Sequence, residues 1–557
     1  MNKLTSIFKK DLSRRAFWVL VVVVFAAKAV LGYAQNIYIT VGGAPLDDEL
    51  MFKAAQSISA GNWLGEYNYL TLSKQMFFAV WLAFCHAVHI PYLIAGQLLL
   101  CGAALAMAQA FAPVLRTCKS RFALFAALAF SPAAAASFTL RVYRDNIFPS
   151  ECILLFAGMI GAALRCKRGL RGYWPWLALA GVGLGTARIT REDGIWLLPF
   201  ALVGTAVILV AILREKGLDH KLVRCLAQAV PYGVLAGCVL AVSAVNYAYY
   251  GVFTTSDFSE GSFAAAYGAM TRVEHEAWQP TVPVPEDVRQ KLYDAVPELQ
   301  PLRYWLEEYD PFHNAYRNKE LGDYQAGSFY WVLRRAAQEE GIYETAAGAE
   351  RYWQGVADAI NTAIDEGVLT ASVGKRSSTT PIIRAEYVLP TLQETVRSFF
   401  YCLTFQDCSC YYQYTMSYAT EEERLEWTAY LGSEANYAAI ENTDIVYYSA
   451  KRLLIYRCFN ALGCVYIVLI PVLFAAALAV QLRRLVRMIR TKNADGLLVW
   501  LILLGVLGMA LLRCAMIAFM EVAAFNIGTY VMYLASVHPL LITYAVAGVL
   551  AKPGEKA

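Results

Sequence analysis

Pro45-Leu46-Asp47-Asp48-Glu49-Leu50-Met51-Phe52 places three consecutive carboxylates just after the chain's first membrane-length apolar run, residues 16–34. Acidic groups beside a bilayer are costly, and each either shifts its pKa or recruits a cationic partner. The stretch is therefore either a solvated acidic loop or a place for chemistry or a metal. The sequence on either side decides between these.

Of the 557 residues, 58% are hydrophobic and only 17% charged, outside the range of ordinary soluble domains. The excess falls in runs of the roughly 20 residues that a bilayer core requires. The first run is long and lacks a small-residue cleavage site, so it reads as a span rather than a signal peptide. Lys3, Lys9, Lys10, Arg14 and Arg15 precede it, which puts the N-terminus in the cytoplasm and the carboxylates outside. Residues 70–90 are apolar but short and interrupted, and read as an interfacial or re-entrant helix. With 92–112 as the second span, Arg116, Lys119 and Arg121 fall inside. The runs 122–140, 146–165, 173–189, 195–213, 225–249, 453–480, 496–519 and 528–550 then alternate without a charge conflict.

The expected fold class is an all-α polytopic membrane protein of about 10–11 spans, with both termini cytoplasmic and a domain outside. Three parts are expected: a membrane module over 1–249 with its acidic outer loop at 35–75, an outer domain over 250–452, and C-terminal helices over 453–557. The middle part holds 30 of the 44 Asp and Glu but 16 of the 48 Lys and Arg, which favours the outside. Apolar spacings of three and four over 327–338 and 345–365 make it α-rich. Most of the 13 cysteines sit singly in apolar runs as small hydrophobes; Cys402, Cys408 and Cys410 offer one extracytoplasmic disulfide.

Charged clusters gather on the outer side at the ends of apolar runs: Asp47, Asp48 and Glu49; Lys74; Arg141, Arg144 and Asp145; and Arg188, Arg191, Glu192 and Asp193. Such a set can bind a lipid phosphate and leave one carboxylate free as a base. The plainer alternative is mutual neutralisation as interfacial salt bridges. Asp47, Asp48 and Asp145 also supply oxygen ligands of the kind that suit Mg, Mn or Ca, against a charge-paired site without metal. The glycines of Gly181-Val182-Gly183-Leu184-Gly185 lie inside an apolar run and read as close helix packing. His86 and His89 lack a third metal ligand, and Arg513 and Glu521 flank the outward end of one span. Basic runs are short and confined to inner loops, which excludes nucleic acid as a partner.

These residues resemble the GT-C superfamily of membrane glycosyltransferases, the group that includes protein O-mannosyltransferases and the lipid A aminoarabinose transferase. Asp48-Glu49-Leu50-Met51-Phe52 is similar to the acidic motif of that family's first outer loop, and Gly61-Asn62-Trp63 to the element that follows. Lys74 fits the family's lysine, although Gln75-Met76 replace the usual prolines. Arg144-Asp145 and Arg191-Glu192-Asp193-Gly194 match the second and third outer loops, and Tyr533 with His538-Pro539 resembles the family's ending. Residues 250–452 resemble nothing in it.

The resemblance implies inverting transfer of a monosaccharide from a polyprenyl-phosphate-linked donor to a hydroxyl acceptor at the outer face of the membrane. Asp48 would be the general base, with Asp47 or Glu49 orienting it or helping to hold a metal. Lys74, Arg144 and Arg191 would bind the donor phosphate, supported by Asp145, Glu192, Asp193, Arg188, Arg141 and His538. A bacterial plasma membrane is the expected location. The rival functions are a secondary transporter or lipid flippase, and a non-catalytic assembly protein on the same scaffold.

Overall fold

Apolar runs become helices in the computed structural model, which describes residues 11–552 except 43–44, 259, 277, 409–416, 437, 440–441, 447–449, 527 and 529–531. Among the described residues, eight helices are long and apolar enough to cross a membrane: Arg14–Tyr33, Tyr92–Ala110, Arg144–Ala163, Glu192–Arg214, Lys221–Tyr250, Arg452–Thr491, Leu497–Phe525 and Met532–Leu550. The two other expected spans are shorter. One is a single helix of 17 residues, Trp174–Thr190. The other breaks after Cys118–Ala129, because Pro132 lacks an amide proton and restricts the residue before it. The chain continues there as the 3-10 turn Pro132–Ala135 and one turn of helix, Ser137–Leu140.

Phe77–Ala87 has 11 residues. At about 1.5 Å per residue it spans roughly half of a bilayer's hydrocarbon core. It packs beside helix Asp48–Ser59, as an interfacial or re-entrant helix would.

Hydrogen bonds place the two ends of the bundle. The Asp11 carboxylate accepts from the amides of Cys118 and Lys119, each at 3.0 Å, while Lys552 donates its amide to Val114 at 3.0 Å. Residues 11 and 552 therefore share one end. At the other end, Ile37, Tyr38 and Thr40 form parallel bridges to Ala435, Arg141 and Tyr418, binding separate segments of the chain together. The acidic stretch begins there.

Glycines set the closest helix approach. A Cβ on Gly158 would overlap the backbone of Ala180, and one on Gly183 would overlap the backbone nitrogen of Leu155. The glycine run of 181–185 thus packs on two sides of helix Trp174–Thr190: Gly183 lies against helix Phe148–Ala163, while Gly181 and Gly185 lie against Val234 and Cys238 of helix Val230–Tyr250.

A separate core lies outside the bundle. Helices Gly261–Met270, Glu286–Ala295, Asp310–Tyr316, Ala326–Glu339 and Ala346–Asp365 enclose Phe263, Leu292, Phe329 and Trp353. Arg289 is buried among them and paired with Glu307 at 2.6 Å and Asp323 at 2.7 Å. Residues 388–408 depart from the expected outer domain. Helix Val388–Leu403 packs on Leu497–Met520, and Phe399, Cys402, Phe405 and Cys408 belong to the membrane bundle's core. Cys402 and Cys408 are free thiols buried in that core, so the disulfide expectation is corrected for this pair. Cys410 lies outside the described residues.

Gly183→Val should lower stability by about 1–3 kcal/mol through overpacking. Gly102→Val, at a position with open space around it, should leave stability unchanged. Thermal unfolding in detergent reads both, and equal melting temperatures would refute the close-packing account.

Candidate functional site

Short irregular segments carry the site because each turns its side chains away from the helix axis it follows. Tyr38 donates its amide to Leu140 at 3.2 Å and accepts from Val142 at 3.1 Å, which fixes Arg141 between them. Tyr143 and Arg191 are extended, and each precedes a 3-10 turn, Arg144–Asn146 and Glu192–Leu197. Asp47 and Asp48 stand at the start of helix Asp48–Ser59, where the positive end of the helix favours carboxylates.

The charged side chains meet in one network. Arg141 holds Asp48 through Nε, at 2.8 and 2.9 Å, and Nη2, at 2.5 Å. Lys74 pairs with Asp47, and the Tyr143 hydroxyl donates to the same carboxylate at 2.8 Å. That hydroxyl accepts in turn from Arg144 at 2.7 Å and Lys74 at 3.2 Å. Arg144 reaches Glu192 at 2.8 Å, and Glu192 accepts the Gln75 amide at 2.7 Å. Arg191 bonds Asp145 and Asp193, each at 3.0 Å, while Arg513 lies 2.7 Å from Asp193. The rings take part as well: the Arg141 and Arg144 guanidiniums lie 5.1 and 4.9 Å from the Tyr143 ring centre.

Five carboxylates thus face five cations, and the residual freedom is uneven. The Asp47 side chain is 37% exposed, whereas Asp48 is fully enclosed. Arg141 is 24% exposed, and its Nη1 meets only the Met532 sulfur, at 3.6 Å, among the described residues. A thioether is a weak acceptor, so this nitrogen is available to a stronger one. Burial pushes the Asp48 carboxyl up to about 6, with Arg141 holding it down only in part. Burial also opposes the charge of Asp47, but the Lys74 ammonium and the hydrogen bonds from Lys74 and Tyr143 outweigh it and keep that carboxyl below the usual range.

The outer domain closes over the network. Trp331, on helix Ala326–Glu339, lies with its ring centre 5.6 Å from Lys74 Nζ. Its neighbour Tyr330 packs on Phe258 with ring centres 4.2 Å apart and lies close enough to Asp47 and Glu192 to feel their charge. The same helix is latched to the loop that carries Lys74. Arg334 donates to the Tyr69 carbonyl at 2.5 and 2.9 Å, and Gln338 accepts the Tyr69 amide at 3.1 Å.

Of the residues singled out by sequence, the structure gathers Asp47, Asp48, Lys74, Arg141, Arg144, Asp145, Arg191, Glu192 and Asp193. Three stand apart. Glu49 pairs with Lys53 one turn along its own helix, at 2.5 Å. Arg188 pairs with Glu260 of the outer segment. His538 is buried against Phe405, with its ring 3.7 Å from the Cys408 sulfur, and contacts no member of the network. Its expected place at a phosphate is corrected: it is a core residue.

Asp47, Asp48 and Asp145 are each engaged by a separate cation, and no group of three His, Cys, Asp or Glu able to hold a metal occurs among the described residues. His86 instead stacks on Tyr430, with ring centres 4.1 Å apart.

Tyr143, Arg513, Tyr330 and Trp331 were not assigned to the site from sequence. Tyr143 could have been found from its place between two arginines. Arg513 was visible as a lone cation in an apolar run, but it pairs with Asp193 and not with Glu521, which accepts from Gly528 at 2.5 Å. Tyr330 and Trp331 carry no such signal. A cavity of about 560 Å³ lined by Glu274, His275, Lys291 and Asp294 lies in the outer domain, and none of its lining comes from the loops of the network.

No family model and no curated protein matches the chain. Among solved structures, it is similar to the crystal structure of ArnT from Cupriavidus metallidurans in the apo state, at 14% identity and a TM-score of 0.31, over 96% of this chain and 78% of that one. It is also similar to the crystal structure of ArnT from Cupriavidus metallidurans bound to undecaprenyl phosphate, at 13% identity and a TM-score of 0.29, over 94% and 77%.

Arg141→Gln would leave Asp48 enclosed without its partner, a change that costs about 3–5 kcal/mol for a buried pair. The sign with pH follows from the raised carboxyl. Below about pH 6 Asp48 holds a proton in both proteins and needs no counter-charge, so the penalty is smallest there. It should grow as the pH rises past that point, where the wild type ionises and the variant resists. Thermal unfolding across this range measures it, and a penalty independent of pH would contradict the assignment.

Proposed function

We propose that this protein is a glycosyltransferase that moves a sugar from a polyprenyl-phosphate-linked donor to a hydroxyl acceptor at the outer face of a bacterial inner membrane, with both termini cytoplasmic. One observation carries the reading: a half-open carboxylate, Asp47, stands beside cations with unfilled donor capacity, at one end of a membrane bundle. A base for a hydroxyl and a cradle for a lipid phosphate are the two things such a transfer needs.

The general base expected from sequence, Asp48, is revised on geometry. Its carboxylate is enclosed and held by Arg141, whereas Asp47 is open to an incoming group. In the proposed reaction the acceptor oxygen attacks the anomeric carbon from the face opposite the phosphate, inverting that carbon. The sugar–phosphate bond breaks with its electron pair on the phosphate oxygen, and the acceptor's proton passes to Asp47. Arg141 Nη1 and Lys74 meet the charge that develops on the leaving phosphate. A phosphate that draws Lys74 toward itself also loosens the pair that depresses Asp47, so donor binding raises the basicity of the residue that must take the proton. Asp48 acts through Arg141 as its positioning residue. Arg144, Arg191 and Arg513, already bound to Glu192, Asp145 and Asp193, hold the loops in register.

Purified protein in liposomes, given a panel of polyprenyl-phosphate sugars and hydroxyl acceptors, should release polyprenyl phosphate. Asp47→Asn should lower kcat by about 10²-fold or more with little change in donor KM. Lys74→Gln should raise the donor KM. Wild-type turnover by Asp47→Asn would remove it as the base. Movement of labelled lipid across the bilayer without release of polyprenyl phosphate would favour a flippase instead.

A further inference from the structure

The helix Val388–Leu403 carries an apolar stripe that nothing in the described protein covers. Leu389, Leu392, Val396 and Phe400 recur at spacings of three and four and are 62, 59, 50 and 56% exposed. Proteins in water rarely present so continuous an apolar face. The opposite face is packed. Phe399 meets Phe474 edge to face with ring centres 5.7 Å apart, and Cys402 is buried in the same core as Cys514, both as free thiols.

Those partners give the depth. Phe474 lies near the middle of the 42-residue helix Ala450–Thr491, and Cys514 lies within Leu497–Met520. Beyond the helix, Phe405 packs on Tyr466, with ring centres 5.6 Å apart. At the start, Tyr387 meets Phe519 at the end of its span, 6.4 Å between ring centres. The segment thus enters beside the outer ends of the spans and reaches toward their middle. Its bare stripe continues the exposed surface of those spans, where Leu511, Leu512, Val468 and Val472 also face outward. Gln393 and Arg397 edge one margin of the stripe, and Arg397, 75% exposed and paired with Glu394 at 3.6 Å, has a side chain long enough to reach toward an interface.

We propose that residues 388–403 form a membrane-embedded half-helix, with the stripe Leu389, Leu392, Val396 and Phe400 bedded in the acyl chains of the leaflet on the site's side. The partner is bulk lipid. The segment that joins the outer domain to the last three long helices is therefore anchored in the bilayer rather than suspended in water. This holds whether or not the protein transfers sugar.

Replacing Leu392 or Val396 by a benzophenone-bearing phenylalanine in the full chain tests it, with irradiation in vesicles of phosphatidylethanolamine and phosphatidylglycerol. Lipid adducts at both positions, at a yield within about twofold of the same probe at Leu511, are the expected result. The probe at Tyr304, exposed on the outer domain, should give at least tenfold less. A protein–protein adduct at Leu392 would show that a second copy covers the stripe and would overturn the proposal. Lipid adducts no more abundant than at Tyr304 would overturn it too.

Discussion

Charge neutrality in a poorly hydrated place governs this structure. Asp47, Asp48, Asp145, Glu192 and Asp193 each find a cation among Lys74, Arg141, Arg144, Arg191 and Arg513 at one end of a bundle otherwise built from apolar helices. A charge left alone there would cost several kcal/mol, so no member can be moved without penalising its partner. Three interhelical segments and one span contribute the members. Their ion pairs therefore tie together parts of the chain that hydrophobic packing alone would leave free to slide.

Such a network resists change where it is closed and responds where it is not. Asp145 with Arg191 is enclosed, as is the Asp48 carboxylate that Arg141 holds, and these serve as fixed struts. Asp47 and the outer nitrogen of Arg141 lie at the open margin, and there a substrate can exchange partners with the protein. A tyrosine between two guanidiniums links the two regions, because the Tyr143 hydroxyl is bonded to Asp47, Lys74 and Arg144 at once. The outer domain is part of this arrangement. Arg334 and Gln338 grip Tyr69, five residues before Lys74, and Trp331 lies over the lysine itself. Movement of that domain would reach the site directly.

Much of the site was legible because the membrane makes charge conspicuous. Arg144-Asp145 and Arg191-Glu192-Asp193 stand out at the ends of apolar runs for the same physical reason that they must pair. Their partners were not legible. Nothing in the order of residues says that Asp47 takes Lys74 while Asp48 takes Arg141, since two adjacent carboxylates point to different sides only once the helix start is built. A histidine near an expected interface, as His538 is, can be a ligand or a packing residue, and its burial against Phe405 favours packing. Trp331, by contrast, was invisible. It sits on an ordinary amphipathic helix far along the chain, and only the fold carries it to Lys74.

The sequence alone determined the class of molecule: apolar runs of membrane length, charged clusters at their ends, and glycines where helices touch. These follow from transfer energies and residue size, which act locally and leave a periodic trace. The tertiary structure decided which carboxylate is open, which cation has a nitrogen that meets only a thioether among the described residues, and that residues 388–408 pack with the spans. A 16-residue helix holding Gln393, Glu394 and Arg397 has no apolar run long enough to announce a place in the bilayer. Its place depends on which face meets Phe474 and Cys514, and contacts between distant parts of the chain leave no periodic signature in the order of residues.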